Sequence, residues 1–227
     1  MELDKTLPKK DFIVIRRKPG AGGDFLRLWL TQAKLNQNNT IALTEAGQAN
    51  FVLNDFFIDL EYKNVTPKPG DSHKVYLSHL GRYAAKEGSV APWFAQDANH
   101  TLEECLEYAE RAITLTYTLD DVDNLVKLYI NKPLKADTEY ESLTATEIES
   151  IKNVSIKQLR NAQPMWRPDL PETDKNINIS FQDWLSGDID TIVNKLSAFT
   201  GIPEANFVKD DLANWRTMTQ NTLDKPI

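Results

Sequence analysis

Asp11-Phe12-Ile13-Val14-Ile15-Arg16-Arg17-Lys18-Pro19-Gly20-Ala21-Gly22-Gly23-Asp24-Phe25 is the stretch that decides the fold. Its first half is apolar without clean alternation, the pattern of a strand buried on both faces, as central parallel strands are. A glycine-rich turn follows, and Phe25, Leu28, Trp29 and Ala33 then fall on one face of a helix. A turn that runs straight into a helix exposes consecutive backbone N–H groups, and the helix dipole adds partial positive charge there. Gly20, Gly22 and Gly23 let backbone approach an anion with no Cβ in the way. Arg16, Arg17 and Lys18 would supplement that field. A strand-to-helix turn also needs glycine for its own conformation, so the stretch fits a turn with or without a ligand. It is not a nucleotide-triphosphate loop, which requires Gly-Lys-Ser/Thr for the β/γ-phosphates and magnesium. Here Gly23 is followed by Asp24 and Phe25, which disfavours an ATPase or kinase.

Outward from that stretch, further strands and helices alternate. Lys74 to Ser78 reads as a second short strand, beyond a Gly/Pro-rich loop around Thr66 to Ser72. Thr101-Leu102-Glu103-Glu104 is a capping box opening a helix that carries Leu102, Cys105, Leu106 and Ala109 inward. Ala112 to Tyr117 reads as a strand. Asp120 or Asp121 then caps a helix with Val122, Leu125, Val126 and Tyr129 on its buried face. Thr144 to Glu147 caps another helix, and Pro164, Pro168 and Pro171 make an extended connector. Asn176 to Phe181 is a strand. Ile189, Ile192, Val193, Leu196 and Phe199 have helical spacing, stopped by Gly201 with Pro203 beyond it. Phe207 to Leu223 forms the last helix, burying Leu212, Trp215 and Met218. The expectation is one α/β domain over residues 1–227, three-layered, with a mostly parallel central sheet flanked by helices. The connector around 162–176 is its only seam.

Composition narrows the class further. The 227 residues suffice to bury a core without disulfides or metals. Hydrophobic residues at 41% and charged residues at 26% exclude wholesale disorder. No apolar run approaches the roughly 18 residues of a membrane helix, and Met1 to Lys5 lacks the layout of a signal peptide. No membrane partner is therefore expected. Cys105 is the single cysteine, which precludes an intrachain disulfide and fits a cytoplasmic compartment. His73, His79 and His100 lack metal-ligand spacing, so no metal is expected. The net charge of −7 argues against general nucleic-acid binding. Trp29, Trp184 and Trp215 sit on helical apolar stripes and read as core; Trp93 and Trp166 read as loop residues that could face a ligand or partner.

A strand leading into Lys18-Pro19-Gly20-Ala21-Gly22-Gly23 and an amphipathic helix resembles the 5′-phosphosulfate loop of P-loop sulfotransferases. Lys74-Val75-Tyr76-Leu77-Ser78-His79-Leu80 is similar to that family's strand ending in Thr-His-Leu, with serine in place of threonine. Ile179 to Leu185, followed by a helix through Phe199 and Thr200-Gly201-Ile202, resembles the family's late strand, polar loop and helix. The three stretches span about half the chain, in the family's order. The resemblance implies 3′-phosphoadenosine 5′-phosphosulfate as donor, a hydroxyl or amine acceptor on a small molecule or glycan, and no required metal. It implies that Arg17, Lys18, Gly20, Ala21, Gly22 and Gly23 bind the phosphosulfate. Lys18 would act on the bridging oxygen and sulfuryl group, and His79 would be the general base. Short Asn-rich chains of this kind also resemble sulfotransferase-like proteins carried by bacteriophages, which implies the host cytoplasm or the virion.

The departures keep a second reading open. In the family an arginine at the end of a middle strand and a serine some eight residues later hold the donor's 3′-phosphate. Here Ile113 to Tyr117 leads instead into Thr118-Leu119-Asp120-Asp121. Of the closing Arg-Lys-Gly loop only Asn214-Trp215-Arg216 stands in a comparable place. Taken with Asp24 beside the loop and Pro92-Trp93-Phe94 as a potential interface, these features fit a protein-binding or virion-associated structural module that keeps the fold without the chemistry.

Overall fold

The computed structural model describes residues 10–18, 21–38, 40–43, 93–97, 100–130, 144, 146, 149–150, 153–154 and 170–224. Strand β1 (Lys10–Arg16) leads into helix α1 (Gly23–Leu35), and β2 is Phe94–Asp97. Helix α2 (Leu102–Tyr108), β3 (Ala109–Thr116) and α3 (Val122–Ile130) follow. Then come β4 (Asn176–Ser180), α4 (Phe181–Ser186), α5 (Ile189–Thr200) and α6 (Lys209–Leu223). Two short 3₁₀ turns, Leu119–Asp121 and Glu204–Asn206, precede α3 and α6.

The strands form one parallel sheet in the order β2-β1-β3-β4. Ile13 stands level with Phe94 on one side and Arg111 on the other. The apolar run read as a doubly covered strand is one: Phe12 and Val14 pack with Ala95, Leu102, Cys105, Tyr108 and Ala112 on one face. Ile13 and Ile15 join the larger core on the other face, built from α1, β3, β4, α4, α5 and α6. Burial on both faces explains why β1 shows no polar alternation. Phe25, Trp29, Trp184 and Trp215 stack or tilt against one another with ring centroids 5.3 to 6.2 Å apart. All three tryptophans read as core are buried. No helix among the described residues is long and apolar enough to cross a membrane.

Several boundaries differ from expectation, each for a local reason. Helix α2 is held by the capping box: Glu104 N–H donates to Thr101 Oγ1 at 3.2 Å, and Thr101 N–H donates to Glu104 Oε2 at 2.7 Å. The helix stops at Tyr108, however, and Ala109 is already strand, so β3 begins three residues before the expected Ala112. Asp121 reaches back to Thr118, accepting from its N–H at 2.7 Å and its hydroxyl at 3.1 Å, so a 3₁₀ turn precedes α3. Helix α6 begins at Lys209, while Phe207 lies edge-on to Trp29 with centroids 5.1 Å apart. Gly201 ends α5 with φ 75°, as the helix stop predicted. The expected strand Lys74 to Ser78, the helix opened by Thr144 to Glu147, and most of the proline connector lie outside the described residues. Among the described residues β1 pairs with β3 and, on its other side, with Phe94–Asp97, whose sequence carries no strand pattern. Phe94 is buried there, which removes it from any interface, and Trp93 is only partly buried against the core.

Candidate functional site

In an open parallel sheet, ligands bind outside the carboxyl ends of the strands where the chain's connections diverge. With the order β2-β1-β3-β4, the chain leaves β1 toward β2 on one side and leaves β3 toward β4 on the other. The crevice therefore lies between the carboxyl ends of β1 and β3. Lys18 and Tyr117 occupy it: the Lys18 N–H donates to the Tyr117 hydroxyl oxygen at 3.1 Å. Burial pushes the Tyr117 phenol up from its ordinary value, so it stays protonated at neutral pH.

The three cations expected to face an anion divide into different roles. Arg16 points to the α2 face, is fully buried, and donates to Thr114 Oγ1 at 3.1 Å and to the His100 carbonyl at 3.5 Å. Arg17 faces the other way and donates through Nε and Nη2 to Gln96 Oε1 at 2.9 and 2.7 Å. Gln96 in turn donates to Asp24 Oδ1 at 2.6 Å, and the Arg17 guanidinium lies 3.8 Å from the same oxygen. Asp24 is thus counterbalanced, and the N-cap of α1 is Gly22, with no side-chain bond. Lys18 is 7% exposed, and its ammonium has no acceptor among the described residues. Burial lowers its pKa, and no neighbouring carboxylate opposes the shift.

The glycine turn is shaped from within as much as for a ligand. Gly22 has φ 75°, and a Cβ there would stand 2.9 Å from Trp215 Cε2 and nearer still to Cζ2. A Cβ on Gly23 would stand 2.6 Å from Arg17 Cγ and Nε. The Ala21 N–H donates to the Lys18 carbonyl at 3.2 Å, closing the turn, while the first-turn amides of α1 have no capping side chain. The structure therefore gathers Arg17, Lys18, Ala21, Gly22 and Gly23 at one corner. Gly20 and His79 lie outside the described residues. Asn214-Trp215-Arg216 falls inside α6, where Arg216 donates to the carbonyls of Asp183, Trp184 and Gly187 and so caps α4 rather than a loop over the site.

Sequence reasoning passed over a second polar group at the same sheet edge. His100 Nδ1 lies 2.7 Å from Asp97 Oδ1, and the His100 N–H donates to Asp97 Oδ2 at 2.8 Å. A carboxylate only accepts, so Nδ1 carries a proton in this contact. Asp97 ends β2 beside Arg17, whose N–H donates to the Asp97 carbonyl at 2.9 Å. The available signal was Asp97-x-x-His100 directly before the Thr101 cap.

The Arg17–Gln96–Asp24 relay gives a direct test of this corner. Gln96→Leu removes an acceptor of a buried guanidinium and the donor to Asp24. It is expected to cost about 1.5–3 kcal/mol in urea denaturation, and a change within experimental error would contradict the relay.

Comparison of the chain with protein-family models, with curated proteins and with solved structures gives no match.

Proposed function

We propose that this chain is a divergent sulfotransferase, moving a sulfuryl group from 3′-phosphoadenosine 5′-phosphosulfate to a hydroxyl or amine acceptor. One observation carries the reading: a buried lysine without an acceptor partner among the described residues, at the crevice between β1 and β3 and beside the uncapped start of α1. A partly desolvated cation at such a crevice gains from an anion that completes it. In the proposed step the acceptor oxygen or nitrogen attacks sulfur, and the bond from sulfur to the 5′-phosphate oxygen breaks. The electron pair stays on that phosphate oxygen, where Lys18 and the amides of Gly22 and Gly23 stabilise the charge. The acceptor's proton passes to a base.

Two histidines compete for that role. His79 has it by resemblance alone. His100 has an Nε2 with no partner among the described residues and a carboxylate, Asp97, that orients its ring. His100→Asn is expected to lower transfer by about 10²–10⁴-fold while donor affinity changes little. A His100→Asn enzyme with full turnover would return the role to His79. The assay is transfer of labelled sulfuryl group to a panel of hydroxyl and amine acceptors.

A second reading rests on the end of β3. Asp121 is buried there, engaged by Thr118 and by Gln182 Nε2 at 2.5 Å, with Asp120 exposed beside it, so two carboxylates follow the strand whose end carries the 3′-phosphate arginine in the family that the sequence resembles. With no arginine in that place, this supports a protein-binding or virion-associated module built on the same fold. A thermal-shift titration with 3′-phosphoadenosine 5′-phosphate separates the two. At a hundred times its dissociation constant a ligand stabilises the fold by about 2.7 kcal/mol; no shift at any concentration leaves the module reading.

A further inference from the structure

We propose that the Lys18 side-chain amine takes up carbon dioxide as a carbamate, and that the anion so formed closes the carboxyl-edge corner to the phosphosulfate. The uptake rests on Lys18 alone; its consequence for the donor rests on the sulfuryl-transfer reading.

Three features of Lys18 point to this chemistry. Its backbone is fixed on both sides, the N–H donating to the Tyr117 hydroxyl at 3.1 Å and the carbonyl accepting from Ala21 N–H at 3.2 Å. The side chain therefore starts from a set point in the crevice between β1 and β3. The residue is 7% exposed, and its amine is not among the sealed side-chain nitrogens without a partner, as Arg16 Nε and Arg27 Nε are. Solvent-borne molecules thus reach the amine through a narrow opening. Finally, the amine makes no hydrogen bond or ion pair among the described residues, while the charged groups next to it are engaged. Arg17 is held by Gln96 and lies 3.8 Å from Asp24, and Asp24 also accepts from Gln96.

Reactivity and charge select the reactant. Only the neutral amine is a nucleophile, and burial unopposed by a carboxylate enlarges the neutral fraction. Its lone pair attacks the carbon of carbon dioxide and an N–C bond forms. One C–O π pair moves onto oxygen, and the surplus proton on nitrogen passes to water. No oxidant, reductant or activated donor is needed. So narrow an opening suits a triatomic reactant better than a sugar aldehyde or an acyl carrier. The product replaces a desolvated cation by an anion, which the partial positive charge at the uncapped start of α1 favours. An imine or an acetyl amide would bring no negative charge to that field. The same negative charge stands where the phosphosulfate would bind, so donor and carbamate exclude one another.

The test equilibrates the full chain with isotopically labelled bicarbonate at mildly alkaline pH, esterifies carbamates with a trialkyloxonium ion, and maps the label by mass spectrometry. Label is expected on Lys18, saturating with dissolved carbon dioxide, and absent from the exposed Lys34 and Lys209. No label on Lys18, or equal label on the exposed lysines, would overturn the proposal. A second arm titrates 3′-phosphoadenosine 5′-phosphate with and without bicarbonate at matched ionic strength. Apparent affinity should fall in proportion to the labelled fraction, about twofold when half of Lys18 is labelled. In Lys18→Arg, which keeps the charge but has no neutral form, binding should be indifferent to bicarbonate. Labelled Lys18 with donor affinity unmoved by bicarbonate would overturn the closure of the corner. Label without any nucleotide binding supports the uptake and contradicts the sulfuryl-transfer reading; nucleotide binding without label does the reverse.

Discussion

Gly22→Ala is expected to destabilise the fold by about 2–5 kcal/mol, as two separate costs. The left-handed backbone, φ 75° and ψ 18°, costs an L-residue about 1–2 kcal/mol. The new methyl would also press into the Trp215 ring, which is 2% exposed and stacked on Phe25 with centroids 5.4 Å apart, so it cannot move aside. Overpacking of that kind costs about 1–3 kcal/mol. A double-mutant cycle separates the two costs. In a Trp215→Leu background the ring is gone, and Gly22→Ala should cost only the backbone share. Strictly additive losses in urea denaturation would show that the ring and the turn do not bear on one another.

Lys18→Met is expected to move stability and binding in opposite directions. Met has similar length and no charge, so the apo protein should gain about 0.5–2 kcal/mol, the common yield of relieving a functional site. Loss of a charge-assisted contact worth roughly 1.5–3 kcal/mol should weaken a phosphosulfate analogue about ten- to a hundredfold. The pH dependence has a definite sign. Burial holds the folded-state pKa of Lys18 below its unfolded value. Its destabilising effect is therefore fully present below the folded value and fades as pH rises from there toward the unfolded value, about 10.4. Wild type and Lys18→Met should converge in stability across that alkaline window, and anion affinity in wild type should fall over the same range. A variant that is less stable than wild type at neutral pH would mean that Lys18 already has a partner in the fold.

The parallel sheet was legible because its strands are short apolar runs joined to helices with strong start and stop signals. Ile189 to Gly201 shows this best, with Asp188 accepting from Thr191 N–H at 2.8 Å at one end and the left-handed glycine at the other. β2 was not legible. Four residues, half of them Gln96 and Asp97, give no period to read, and they belong to the sheet because Gln96 is held by Arg17 and Asp24. The cluster Arg16-Arg17-Lys18 looked uniform in sequence. Alternation along the strand sends Arg16 and Arg17 to opposite faces, and tertiary partners far along the chain take both. Only the third cation is left for a ligand. Composition could not indicate that Asp24 would be hydrogen-bonded by Gln96, 72 residues away in sequence. Nor could it show that His100 would meet Asp97, because that contact depends on where β2 ends.

Calorimetric titration of 3′-phosphoadenosine 5′-phosphate into wild type and Lys18→Met at neutral pH tests the central claim most directly. The account predicts saturable heat in the wild type and an affinity about ten- to a hundredfold lower in the variant, whose fold is intact and slightly more stable. Equal affinity in both proteins would contradict it by placing the ligand elsewhere, and no heat in the wild type would remove the anion from the carboxyl edge altogether.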